Sequence, residues 1–211
     1  MLTVWMTAMA LAQQPIVVMG SGLVRSSSES AAELPSTGTW VATLGDCLEE
    51  SNPGSFRVVD RVGPTETVRS TARRMEELRE LGPAAVVLAF GASDSQEAGP
   101  DDSRLRRELE KLLAQIRETT PDTALYLVDR VGPRMSDSAE QAAADAYVTT
   151  WNAMLASVTA SSTSVQHIEV WAEWPREDES RTPLMTADGT LSDQGHARVG
   201  AAVCAALTPK Q

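Results

Sequence analysis

Side chains that hold metals are scarce here. The sequence has two histidines, His167 and His196, and two cysteines, Cys47 and Cys204, in 211 residues, and none stands at the spacing of a metal site. No metal is expected. Phosphate-binding signatures are missing as well: there is no P-loop lysine pattern, and the glycine-rich turn Gly20-Ser21-Gly22 has Arg25 where a dinucleotide fingerprint needs its third glycine. A nucleotide-binding α/β protein therefore ranks behind the readings below, and no cofactor is expected. Positive charge is in short supply, with Lys+Arg 18 against Asp+Glu 29 for a net charge of -11. Phosphates would be repelled, so neither nucleic acid nor an anionic membrane surface is expected as a partner, and the dispersed acids read as a solvated surface. No apolar run is long enough to span a bilayer. The nearest approach is MLTVWMTAMALA at residues 1–12, which has the length of a signal-peptide core and ends in Ala10-Leu11-Ala12, the small-x-small pattern that signal peptidase needs. No Lys or Arg precedes it, and the alternative is an apolar strand or arm. Residues 1–13 thus stand apart from a single domain over 14–211, a length that suits one sizeable core.

What is present is a regular alternation. Short apolar runs of strand length fall at 15–19, 56–59 (FRVV), 84–90 (AAVVLAF), 123–128 (TALYLV) and 165–170 (VQHIEV). Helical periods fill the gaps. Trp40, Val41, Leu44, Cys47 and Leu48 share one face. Val68, Ala72, Met75 and Leu78 share another, which stops at Gly82-Pro83. Leu105, Leu109, Leu112, Leu113 and Ile116 follow Ser103 as an N-cap, and Tyr147, Trp151, Met154, Leu155 and Val158 mark a fourth helix. The last helix carries Val199, Val203, Cys204 and Leu207 inward. Strands buried on both faces and separated by helices predict a three-layer α/β/α domain around an open parallel sheet. Ligands of such folds sit at the carboxyl ends of the strands. The hexapeptide VDRVGP occurs there twice, at 59–64 and 128–133, and reads as turn chemistry that could also shape a mouth.

Three blocks on that edge carry a resemblance. Gly20-Ser21-Gly22-Leu23 follows the first strand, Gly91-Ala92-Ser93-Asp94 the third, and Asp188-Gly189-Thr190-Leu191 precedes the last helix. They fall where SGNH (GDSL) esterases carry G-D-S-L, G-x-N-D and D-x-x-H, and the sequence resembles that family from residue 14 onward. The resemblance implies a flavodoxin-like sheet of order 2-1-3-4-5. It also implies a site built from a serine nucleophile, a backbone and an asparagine oxyanion donor, and a histidine oriented by an aspartate. Such chemistry needs that set, because a serine hydroxyl is weak until a base takes its proton and the tetrahedral oxyanion needs preorganised donors.

At the matching positions the reactive side chains are replaced. Gly22 falls on the serine, Ser21 on the aspartate beside it, Ser93 on the asparagine and Leu191 on the histidine, while Asp188 keeps the aspartate. DRVGPTET resembles the family's second block, with Thr65 on its oxyanion glycine and Gly63 two residues early; a backbone N–H survives that change. Ser192-Asp193-Gln194-Gly195 and then Val199 and Val203 continue as the family's histidine is continued, so His196 lies inside the helix. The resemblance therefore implies an esterase-like domain without its reactive groups, a binding or structural protein. The alternative is an ester or acyl hydrolase using Ser21 with His196 as a relocated base, assisted by Asp188 or Asp193.

Ser21, Gly63, Ser93 and Trp174 are the expected binding positions. The loop from Trp171 to Ala187 brings Trp171, Trp174 and the acidic run Glu177-Asp178-Glu179 to the same edge, which suits a neutral or cationic ligand or a partner protein's side chain better than an anion. The competing expectation is that Leu191 and its neighbours fill the old cleft. Cys47 and Cys204 read either as two buried thiols or as a bridge. In the family's fold their helices share a side of the sheet, which implies a Cys47–Cys204 disulfide and a periplasmic or secreted protein, the alternative being cytoplasmic.

Overall fold

The computed structural model describes residues 13–20, 39–63, 66–91, 94, 103–186 and 189–208. Five strands form one sheet: β1 (Gln14–Gly20), β2 (Phe56–Val62), β3 (Ala85–Ala89), β4 (Ala124–Val128) and β5 (Val165–Ile168), in the order β2-β1-β3-β4-β5. All four pairings are parallel, and Val17 lies opposite both Val59 and Val86. Seven helices are described: α1 (Trp40–Ser51), α2 (Val68–Thr71), α3 (Met75–Leu81), α4 (Ser103–Thr119), α5 (Ser138–Ala160), α6 (Asp178–Arg181) and α7 (Asp193–Leu207).

The pleat sends alternate residues of β1 to opposite faces, and each face has its own core. Ile16 and Val18 join Val87, Tyr126 and Val128 beneath α1 and α7. Val17 and Met19 join Val86, Leu88 and Leu127 beneath α3, α4 and α5, where Leu78, Leu109, Leu112, Trp151 and Leu155 close the layer. The inner strands β1, β3 and β4 read as apolar runs because neither of their faces meets water, whereas the edge strands β2 and β5 expose Arg57, Asp60 and Gln166. Cys47 of α1 and Cys204 of α7 are joined by a disulfide across a sequence separation of 157 residues.

Three expectations need correcting. The helix expected from Val68 to Leu78 is two, α2 and α3. Thr67 and Ser70 form a reciprocal capping box around α2, and the chain then turns through Ala72–Arg74 before α3 begins. The last strand ends at Ile168 rather than 170. The first VDRVGP is not a turn along its whole length, since Val59–Val62 pair with Val17–Gly20 as the end of β2.

Candidate functional site

The carboxyl ends of β1 and β3 meet more tightly than side chains would allow. Gly20 ends β1 at φ +125°, and a Cβ there would overlap the carbonyl oxygen of Ala89. Its own carbonyl accepts the N–H of Gly63 at 2.9 Å, so that donor extends the β1–β2 pairing and is not available to a ligand. Ser21, Gly22, Thr65, Ser93 and Asp188 lie outside the described residues. Asp94 is buried, and its Oδ1 accepts the N–H of Val68 at 2.9 Å. It thereby ties the chain after β3 to the first turn of α2, one of the helix ends whose N–H groups need an outside acceptor.

The far side of this edge is apolar. Leu191 pairs with Met185 in an isolated antiparallel bridge and is buried among Trp174, Leu184, Met185 and Val199. Ser192 directly after it caps α7, its hydroxyl accepting from the N–H of Gly195 at 3.2 Å. Gly195 is required by this packing, because a Cβ would overlap the Leu184 carbonyl and press on Cδ2 of Leu191. Burial of Leu191 is worth about 1.5–3 kcal/mol.

His196 sits one turn into α7, and its Nδ1 accepts the backbone N–H of Trp40 at 3.1 Å. Trp40 is the first residue of α1, so the imidazole satisfies one of that helix's orphan donors. An accepting Nδ1 is unprotonated, which puts the proton of the neutral ring on Nε2. Burial pushes the His196 pKa below the ordinary histidine value, with the Asp193 carboxylate opposing in part. The lone pair a general base needs is thus already engaged by α1.

The second VDRVGP is where sequence reasoning missed most. Its first copy is a solvated strand end: Asp60 is exposed and accepts from the Val62 N–H, and Arg61 pairs with Glu77. In the second copy the same letters are buried. Asp129 binds the His167 Nε2 at 2.7 Å through one oxygen and accepts the Trp171 N–H at 3.0 Å through the other. Arg130 exchanges backbone hydrogen bonds with the Asn152 amide and sends a guanidinium N–H to the carbonyl of Gly91 at 2.7 Å. Behind it Arg181 grips Asp145 with two nitrogens, at 3.0 and 2.9 Å, and donates to the carbonyl oxygens of Pro133 and Pro175. The only signal in the sequence was position, since both copies follow or end a strand.

Trp174 is 2% exposed and lies within the core, and Trp171 is 4% exposed with the Arg176 guanidinium stacked 3.6 Å from its ring centre. Both rings gain more from the apolar cluster around Leu191 than an open rim would give them. Among the described residues no three His, Cys, Asp or Glu side chains gather as a metal would require, and no helix is long and apolar enough to cross a membrane.

A parallel sheet of this order, with its chain segments converging on the ends of β1 and β3, invites comparison with known folds. The model of the GDSL-like lipase/acylhydrolase family matches residues 26–198. The chain belongs to that family. Its solved relatives are distant in sequence and close in shape. TesA is 21% identical with a TM-score of 0.69, over 93% of this chain and 99% of that one. A lipase/acylhydrolase from Enterococcus faecalis is 18% identical with a TM-score of 0.65, over 94% and 100%. A carbohydrate esterase of family 3 from Talaromyces cellulolyticus is 12% identical with a TM-score of 0.70, over 92% and 96%. No curated protein matches the sequence. At these identities the neighbours speak for the fold alone. Within this GDSL-like domain the family match begins past Gly22 and ends two residues beyond His196, so it rests on the scaffold and not on the turn after β1.

Proposed function

We propose that this member of the family has lost serine-esterase chemistry and acts as a binding or structural protein. One observation carries the reading: Leu191, the residue directly before the cap of α7 and the one that resembles the family's histidine, is a buried apolar side chain. A leucine accepts no proton, and the serine hydrolase mechanism stops without a base. Gly22 and Ser93 on the nucleophile and asparagine positions support the same conclusion from sequence.

The alternative, an active hydrolase with Ser21 as nucleophile and His196 as base, asks His196 to give up the Trp40 N–H, either to use the freed Nδ1 itself or to move its proton there and use Nε2. Its position inside a helix also fixes its reach. For a binding role, a net charge of -11 favours a neutral or cationic ligand, or a partner protein, over an anion. With Trp174 inside the core, such a ligand meets the rim of the edge and not an aromatic-walled pocket. Labelling with a fluorophosphonate, followed by mass spectrometry of the digested protein, tests the loss of chemistry. No serine adduct is expected; stoichiometric modification of Ser21 would overturn the proposal in favour of the hydrolase.

A further inference from the structure

We infer that the chain is exported, that residues 1–12 are removed by hydrolysis of the Ala12–Gln13 peptide bond, and that the Cys47–Cys204 bridge forms after crossing. Two independent features point the same way. The first is the apolar stretch ending in Ala10-Leu11-Ala12, with small residues one and three positions before the bond. The second is the bridge itself. It uses both cysteines of the chain, and reducing compartments keep such thiols apart.

The fold accommodates the cut. Gln13 and Gln14 are exposed, and sheet pairing begins with Gln14 opposite Phe56, where the Gln14 N–H donates to the Ser55 carbonyl at 2.9 Å. A chain starting at Gln13 keeps every paired residue of β1, and its new amino group lies at the end of the strand opposite to Gly20. Peptidase action adds water across the bond, leaving a carboxylate on Ala12 and an amine on Gln13. Bridge formation removes two electrons and two protons from the thiols, which pass to a disulfide-bearing oxidoreductase that becomes a dithiol.

The test is intact-mass analysis of the protein isolated from the cells that make it, denatured in iodoacetamide with and without prior reduction by a dithiol. The expected product begins at Gln13 and takes up two alkyl groups only after reduction. A folded protein that keeps residues 1–12, or one that is alkylated without reduction, overturns the inference. The Ala12→Glu variant separates processing from chance proteolysis: precursor should accumulate at least about tenfold over the parent, and processing at the parental rate also overturns it. Neither readout depends on whether the domain retains catalysis.

Discussion

The Nδ1 of His196 accepts the N–H of Trp40 at 3.1 Å, so a side chain of α7 completes the first turn of α1. It is the uppermost of three ties along one seam. One turn further on, Gly200 lets α7 approach Trp40 and Thr43 so closely that a Cβ would strike both, and one turn beyond that Cys204 is bonded to Cys47. The partners advance in the same direction on both helices, so α1 and α7 run parallel.

A titration follows from the first tie. Burial lowers the His196 pKa in the folded protein, so folding favours the neutral ring. Above the unfolded value, about 6.5, both states are neutral and the contribution is fully present. As the pH falls from there toward the lower folded value, only the unfolded state takes up a proton, and stability declines until the folded ring also protonates. We predict that His196→Asn, whose amide oxygen can still accept from Trp40, loses this slope. Urea unfolding between about pH 5 and pH 7.5 decides the point. Parallel slopes for parent and variant would show that His196 does not titrate differently on folding.

The bridge at the bottom of the seam constrains a long segment. For a separation of 157 residues, loop-closure entropy in the unfolded chain corresponds to about 5 kcal/mol. The Cys47→Ser/Cys204→Ser double variant is expected to lose most of that in denaturant melts without reductant. A loss below about 1 kcal/mol would mean that the reduced, unfolded chain already keeps these two segments near one another.

The sheet was legible because its inner strands β1, β3 and β4 are buried on both faces, which turns each into an apolar run that no surface helix imitates. The break between α2 and α3 was not, because the apolar pattern from Val68 to Leu78 suits one helix equally well. The same limit applies at the edge. Asp60 and Asp129 sit in identical hexapeptides, yet only Asp129 is buried, because its partners His167 and Trp171 arrive from β5 and the loop after it. Trp174 was placed on the right loop, but it turns into the core that also holds Leu184 and Leu191, which spacing does not record.

The Arg181–Asp145 pair offers an asymmetric prediction. Side-chain exposure is 1% for Arg181 and 21% for Asp145. Removing the carboxylate strands a guanidinium with no water, while removing the guanidinium leaves an aspartate that water and Gln141 can still reach. Asp145→Ala is therefore expected to cost about 3–5 kcal/mol, and Arg181→Met distinctly less. Equal losses in chemical denaturation would assign the effect to the carbonyl contacts with Pro133 and Pro175 instead.

Restoring the reactive groups tests the reading of the site most directly. The parent is predicted to hydrolyse p-nitrophenyl acetate no faster than buffer, and so are Gly22→Ser and Ser93→Asn alone, since neither supplies a base. Leu191→His brings an imidazole to the start of α7 but places a polar ring among Trp174, Met185 and Val199, at a cost of about 1–3 kcal/mol. The stability that the disulfide adds leaves room for that loss. With all three changes together, a base acting on a positioned hydroxyl should raise the rate by about 100-fold over the parent. The variant that carries only Ser93→Asn and Leu191→His, with Gly22 left in place, has the base but no hydroxyl at that position and should show none of the gain. Activity in the parent that disappears on Ser21→Ala would sink the proposal, because it would place the nucleophile one residue earlier and oblige His196 to release Trp40 and serve as its base.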